Sequence, residues 1–458
     1  MKKLTSIFCI CFALTINKFI AQRDTTIAKP IIKNGYLQTV PLFDTPKEWI
    51  QEEVWVETDF DSDYDGKLDR MHVWVVRPYQ TETQGLKLPI LYVSSPYFGG
   101  LGGKSNKYSW NVKHELGELP NYHKVPKVKQ KSNKPWYLKY TYDKNWIPLG
   151  VIMVYSSSPG TGLSDGAPTM GGKNESLAPK AVIEWLTGKR TAYKSRIGNE
   201  TIDAYWSTGK VAMTGTSFNG TMAIAAATTG VEGLETIIPV APLTSFYHYY
   251  RSNGLVKSPG GYPGEDLDCL FDVIYSGDLN KRELIKDKIR DSLILKNFDR
   301  KTGDYNDFWA TRDYSLQMDS VKASIFMAHA FNDWNVSPEH SYRVYKKAQE
   351  LNLETMLYYH QNGHGGDPYF ILNKWLTHYL YGEDNGIEND SKVWITREHK
   401  SQYSRPTEYT SFPHENSEEL TFTFSSGSPT NGNFELEKIG STSSIETFTD
   451  NYKISFEI

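Results

Sequence analysis

The sequence predicts an α/β fold: a mainly parallel sheet covered by helices on both faces, with a helical cap insertion and the start of a β-sandwich behind it. Three observations carry that expectation. Short apolar runs alternate with helical patterns from Val54 onward. The runs are almost continuously apolar, as strands buried on both faces are. After about Arg405 the texture turns to Ser/Thr/Glu-rich alternation, as in Glu419-Leu420-Thr421-Phe422-Thr423-Phe424, which reads as all-β.

Taken in order, the chain opens with Met1-Lys2-Lys3, a mostly apolar stretch from Leu4 to Ile16, and Phe19-Ile20-Ala21-Gln22 before a polar segment. That pattern predicts a secretory signal peptide over 1–22, cleaved near Ala21 or Gln22, and an exported protein, periplasmic or secreted. The apolar stretch is short for a membrane span, so no membrane association is expected after cleavage. Two of the three cysteines, Cys9 and Cys11, fall in this leader, and Cys269 alone cannot form an internal disulfide.

Residues 23–400 read as the α/β domain. Strands are expected at 54–60, 71–76, 89–95, 151–155, 211–214, 236–240, 323–328 and 355–359, and helices at 178–186, 220–227, 340–351 and 368–380. The first two strands flank an acidic turn and read as an antiparallel hairpin on the sheet edge. Residues 99–147 form a polar and aromatic insertion. Residues 246–315, helical and rich in Tyr and charge, sit between two strands as a cap over an active site would. An α/β-hydrolase core satisfies this order. Residues 401–458 begin a C-terminal β-sandwich with too few strands to close, so a truncated domain is expected.

The net charge of −4 over 458 residues points to neither a nucleic-acid partner nor an anionic membrane. Lys124, Lys127, Lys129, Lys131, Lys134 and Lys139 are interrupted by prolines and aromatics and read as a solvated loop. Oligomeric state is open.

The chemistry gathers at Val211-Ala212-Met213-Thr214-Gly215-Thr216-Ser217-Phe218-Asn219-Gly220. An apolar run, a tight turn and an Ala-rich helix would lift Ser217 onto a nucleophile elbow. A serine in this setting also suits a plain N-cap. On a hydrolase core the acid follows the penultimate strand and the histidine the last. Asp333 stands after the strand ending near Ala328, and His364 in Gly363-His364-Gly365-Gly366 after the strand ending near Tyr359. Such a histidine would take the serine proton while the carboxylate holds the imidazole in the right tautomer. His360 competes as base but lies at the strand end, so His364 is preferred.

Glycine three places after the serine departs from the common G-x-S-x-G elbow. It resembles the serine-peptidase family that contains Xaa-Pro dipeptidyl-peptidases, cocaine esterase and α-amino-acid ester hydrolases. Within that family, Ala225–Leu234, Ser245–Gly254 and Asn332-Asp333-Trp334-Asn335-Val336 are most similar to the Xaa-Pro dipeptidyl-peptidase branch. The likeness spans roughly residues 50–400 and the opening of a jelly-roll domain. It implies Ser217, Asp333 and His364 as the triad, with Tyr97 and the Phe218 N–H as the oxyanion hole. It implies Phe246 and Tyr249 as the proline pocket, with Phe246 where relatives often carry Trp. Glu265 is implied as the carboxylate for the substrate's α-ammonium, beside Asp266, and Asn335 as its polar partner. The implied substrates are peptides with proline second from the N-terminus. The Asp-x-Arg-Gly motif of the esterase branch is replaced here by Ser157-Ser158-Pro159-Gly160-Thr161-Gly162, and no role is carried over there.

Asp61-Ser62-Asp63-Tyr64-Asp65-Gly66-Lys67-Leu68-Asp69 resembles the first half of a calcium loop, although its twelfth position is His72 rather than Glu. An Asp-rich hairpin turn would look similar. No cofactor is required by this reading, and a structural Ca2+ at Asp61, Asp63, Asp65 and Asp69 is possible. The leading function is an exported dipeptidyl-peptidase. The same triad could instead act on esters or β-lactam amides, and a third reading is a non-catalytic surface binding protein.

Overall fold

The computed structural model describes residues 27–112, 123–131, 142–252, 254–261, 264–397, 405–420, 422–428, 431–436 and 455–457. The expected signal peptide lies outside them. Among the described residues, no helix is long and apolar enough to cross a membrane.

One sheet organises the chain. Its strands in sequence are β1 (Ile50–Glu57), β2 (Arg70–Arg77), β3 (Leu88–Ser95), β4 (Ile152–Ser157), β5 (Ala192–Tyr193), β6 (Ser207–Thr216), β7 (Leu234–Val240), β8 (Ser324–Ala330), β9 (Thr355–His360), β10 (Val393–Ile395) and β11 (Thr407–Tyr409). Their spatial order is β11-β10-β9-β8-β7-β6-β3-β4-β2-β1-β5. The run from β4 through β10 is parallel, and β1 and β2 form the expected antiparallel hairpin at one end. This is the α/β-hydrolase arrangement. Strand β6, which leads to Ser217, starts four residues earlier than expected, because its polar opening Ser207–Lys210 also pairs through Ser207 with Leu88.

Successive side chains of the central strands point to opposite faces, and both faces are filled. Val211, Met213, Ile237, Ile325, Met327 and Leu357 join the core under helices α1 (Lys173–Leu186), α2 (Phe218–Ala227) and, further along the chain, α5 (Glu339–Glu350). Ala212, Ile238, Phe326, Ala328 and Met356 join the other core, under α6 (Tyr369–Tyr381). Trp375 of α6 donates its indole N–H to Thr236 Oγ1 at 2.8 Å, tying that helix to β7. A strand apolar at every place is therefore what this position demands.

The insertion between β7 and β8 is a chain of short helices, including α3 (Phe246–Tyr250), α4 (Leu267–Ile274) and a stretch at Lys286–Ile294 wound as a π-helix. Buried ion pairs hold it together: Asp266 accepts from Arg251 at 2.9 Å and from Arg300 at 2.5 Å, and Arg290 donates to Asp272 at 2.8 Å. In the 99–147 insertion, Gly100–Gly102 pairs with Val128–Gln130, so part of the lysine-rich stretch is strand rather than loop. Lys134 and Lys139 lie outside the described residues. Toward the C-terminus, Phe422–Ser428, Asn431–Leu436 and Ser455–Glu457 form a separate three-stranded sheet.

The join between β6 and α2 leaves no spare room. A Cβ on Gly220 would stand 2.6 Å from the Gly215 carbonyl oxygen and 3.2 Å from the Val240 backbone. Since neither neighbour is a movable side chain, Gly220→Ala should destabilise the protein by about 2 kcal/mol through overpacking. Urea denaturation of the purified chain checks this, and an unchanged midpoint would refute it.

Candidate active site

Ser217 occupies the turn between β6 and α2 with φ 64° and ψ −132°. The Ser217 N–H donates to Val240 O at 2.9 Å, which anchors the strained residue to the neighbouring strand. Gly215 is required because a Cβ there would meet Asn219 Cβ at 2.5 Å. The serine side chain makes no capping bond, so the N-cap alternative fails. Phe218 is the first residue of α2, and its N–H is one of those a helix leaves without an intrahelical acceptor.

Asp333 follows β8 and is buried. Its Oδ1 accepts the N–H groups of Asn335 and Val336, both at 2.9 Å, and its Oδ2 accepts His364 Nδ1–H at 2.6 Å. Burial alone would raise this carboxyl, but hydrogen bonds from His329, His364 and the Val336 N–H hold it well below the usual carboxylate range. His364 keeps about 30 % of its side chain exposed. It lines the same cavity as Ser217, although the two are not hydrogen-bonded, and such bonds often tighten only in the substrate complex. The competing His360 donates Nε2–H to Gly365 O at 2.8 Å and accepts from Asn362 N–H at 3.1 Å. Both its nitrogens are spent on shaping the loop that carries His364.

The cavity encloses about 660 Å³. Tyr97 stands in its wall with its ring edge-on to Phe218, centroids 6.1 Å apart. Burial, reinforced by the charges of Glu265 and Glu175, pushes its hydroxyl far above the usual phenol range, so it remains a donor. Tyr249 also lines the cavity, and its hydroxyl accepts from Asn335 Nδ2 at 3.2 Å. Asn335 gives its second N–H to Pro259 O at 2.7 Å, which leaves its Oδ1 as an acceptor.

Glu265 is buried in this wall, and its Oε2 has no hydrogen-bond partner among the described residues. Burial raises its carboxyl, opposed by the Lys104 charge. The neighbouring Asp266 is not a rival, since Arg251 and Arg300 clamp it. Phe246 requires a correction. It is fully buried behind the elbow, its ring 5.6 Å from that of Phe218, seated where Gly171 has no side chain: a Cβ there would meet the ring at 2.3 Å. It does not line the cavity. The apolar wall also includes Leu243, Leu270, Val273 and Val336. Lys104 and Lys131 reach the cavity as well, and Lys131 belongs to the stretch for which a solvated loop is expected. Asn219, Leu270 and Val273 carried no signal as single residues, although α4 is amphipathic enough to have been expected to present an apolar face.

In the acidic turn Asp61, Asp63 and Asp65, three of the four expected calcium ligands, bring carboxylate oxygens within 4.8 Å of one another. Asp61 accepts the N–H groups of Asp65 and Gly66, and Asp69 turns inward to Ser62, its carboxyl pushed up to about 7 by burial. Asp63 and Asp65 hold the Lys281 ammonium at 2.7 and 2.9 Å. Asp69 is thus not part of the cluster, and a lysine from the cap supplies the positive charge. A second buried group, His123, Asp268 and Cys269, contains the His123–Asp268 bond of 2.8 Å, to which Trp110 Nε1 adds. It fastens the 99–131 insertion to α4.

Residues 65–366 match the family described as X-Pro dipeptidyl-peptidase (S15 family). A putative Xaa-Pro dipeptidyl-peptidase of Rhodopirellula baltica is 52% identical over 432 residues, covering 93% of this chain and 68% of that protein. A Xaa-Pro dipeptidyl-peptidase of Ligilactobacillus salivarius is 39% identical over 401 residues, 80% of this chain and 49% of that protein. The chain therefore spans 49% to 68% of the length of these relatives. A CocE/NonD family hydrolase from Staphylococcus aureus shares the fold at a TM-score of 0.54 and 16% identity, covering 84% of this chain and 60% of that one. The chain belongs to the X-Pro dipeptidyl-peptidase (S15) family of serine hydrolases.

Proposed function

We propose that the chain carries the catalytic unit of a dipeptidyl-peptidase that releases N-terminal X-Pro dipeptides through an acyl-enzyme on Ser217. One observation carries the reading. Glu265 stands in the wall of the cavity that holds Ser217, and its buried Oε2 has no hydrogen-bond partner among the described residues, although a buried acceptor without a donor is costly to keep. A substrate α-ammonium would satisfy it, with Asn335 Oδ1 as a second acceptor. Tyr249 and the apolar residues beside it suit a pyrrolidine ring.

In this mechanism Ser217 Oγ attacks the proline carbonyl carbon while His364 Nε2 takes its proton. The Tyr97 hydroxyl and the Phe218 N–H receive the oxyanion. Collapse breaks the peptide bond, and His364 returns the proton to the leaving amine. Water, activated by the same imidazole, then frees the dipeptide and Ser217. Asp333 stays ionised and orients His364. The basic and apolar start of residues 1–22 supports an exported enzyme.

The deciding assay compares Ala-Pro-p-nitroanilide, its N-acetylated form and a p-nitrophenyl ester, with Ser217→Ala as control. Fast release from the free-amine peptide only, lost in the control, is expected. Turnover of the ester alone would overturn the peptidase reading in favour of an esterase.

Tyr97→Phe should lower kcat by roughly 100-fold with KM little changed, because the lost donor acts mainly on the transition state. Steady-state kinetics on the same anilide test this.

KM for the free-amine substrate should rise as pH falls, because burial raises the Glu265 carboxyl and its protonated form no longer attracts an ammonium. KM should rise again once the substrate amine deprotonates near about pH 8. Glu265→Gln should abolish the acid-side rise and increase KM by roughly tenfold or more at neutral pH. A variant that keeps the wild-type KM profile would remove Glu265 from amine binding.

A further inference from the structure

We propose that His329 is a positioning residue for acyl transfer, holding Asp333 and the turn that carries Asn335 in the geometry His364 requires. The inference rests on the roles proposed above for Ser217, Asp333 and His364, but not on the identity of the peptide. His329 is the penultimate residue of β8 and is fully buried. Its Nε2 lies 3.0 Å from the Val336 carbonyl oxygen and 3.3 Å from Asp333 Oδ2. A carbonyl can only accept, so Nε2 carries the proton, and that N–H forks between the carbonyl and the carboxylate. Its Nδ1 stands 2.6 Å from Ser341 Oγ on α5. The Ser341 hydroxyl donates to it and fixes this tautomer.

The turn is thereby closed at both ends. The Val336 N–H binds Asp333 Oδ1 and the Val336 carbonyl binds His329, while Asn335 between them delivers its side chain to the cavity. Asp333 Oδ2 is shared between two imidazoles, His364 at 2.6 Å and His329 at 3.3 Å. Other titratable groups face this pair. Tyr249 and His360 lie around Asp333, while His340, itself near Lys257, His248 and Arg343, faces His329. Burial keeps Tyr249, His360 and His340 neutral. Loss of the His329 donor would leave the carboxylate to hold the His364 proton more tightly. Because catalysis needs His364 neutral, the acidic limb of activity would move to higher pH.

The test is the rate of Ser217 labelling by a fluorophosphonate as a function of pH, which needs no peptide, run beside Ala-Pro-p-nitroanilide turnover and thermal melting. His329→Leu should slow plateau labelling roughly 10- to 100-fold through misplacement of the acid and base. Its acidic limb should move up by roughly half a pH unit. His329→Gln, whose amide can still donate, should recover toward the wild type on both counts. Ser341→Ala should move the limb the same way by less, and it decides the matter if His329→Leu does not fold. An unmoved limb in the folded variants, with rates falling only as the folded fraction falls, would overturn the proposal. Labelling that shifts in the variants as described, with no dipeptide release by the wild type, would instead sink the dipeptidyl-peptidase reading and leave this one standing.

Discussion

The backbone of Ser217 is the constraint around which the rest of the site is arranged. A non-glycine residue at φ 64° and ψ −132° stores on the order of 1–3 kcal/mol and persists only where its surroundings over-determine it. Here they do. β6 is locked in parallel between β3 and β7, α2 is pressed against the strand it has just left, and the Ser217 N–H is tied to Val240. Gly215 and Gly220 allow that approach, since either Cβ would collide with backbone or Cβ atoms across the elbow. The same tightness delivers two assets at once: a hydroxyl raised above the sheet and a helix start whose N–H groups face the same space.

Around this point, buried carboxylates are treated in three different ways. Asp333 is over-supplied with donors, so it stays charged and pre-oriented. Asp266 is neutralised by Arg251 and Arg300 and serves the cap. Glu265, the residue next to Asp266, is left with an oxygen, Oε2, that has no partner among the described residues. An unsatisfied buried acceptor weakens the folded state, and its retention beside a nucleophile fits a site that gives up stability for binding. Environments that drive neighbouring acids apart in this way are how one pocket separates structural charge from functional charge.

Much of this was legible in the chain before folding. Continuous apolar strands revealed the doubly covered sheet, because burial on both faces removes the polar alternation that an open sheet would show. The order of Ser217, Asp333 and His364 was readable because the three sit at strand ends, and strand ends are what periodicity locates. What escaped depended on distant partners. Phe246 leaves the pocket because of a missing side chain at Gly171, 75 residues earlier in the chain. The acidic turn is completed by Lys281, a residue of the cap more than 200 positions later in the chain. Lys131 enters the cavity because Val128–Gln130 pairs with Gly100–Gly102. No local pattern encodes such meetings. His329 escaped for another reason, since inside an apolar strand it reads as one more buried residue.

The choice between His360 and His364 illustrates what a catalytic base must avoid as well as what it must have. His360 is the more deeply buried imidazole, with one ring nitrogen donating and the other accepting. Protonating it would set an N–H against the N–H of Asn362 and break the turn. Burial already pushes its pKa down, which keeps it neutral. His364 spends only Nδ1, on an acid that is stabilised as an anion, and keeps partial access to solvent. It can gain and lose a proton at its other nitrogen without any hydrogen bond around it having to reverse. Gly365 and Gly366 accommodate the division, because a Cβ on Gly366 would strike the His360 ring. The rigid histidine therefore builds the loop, and the less committed one suits the role of base proposed for it.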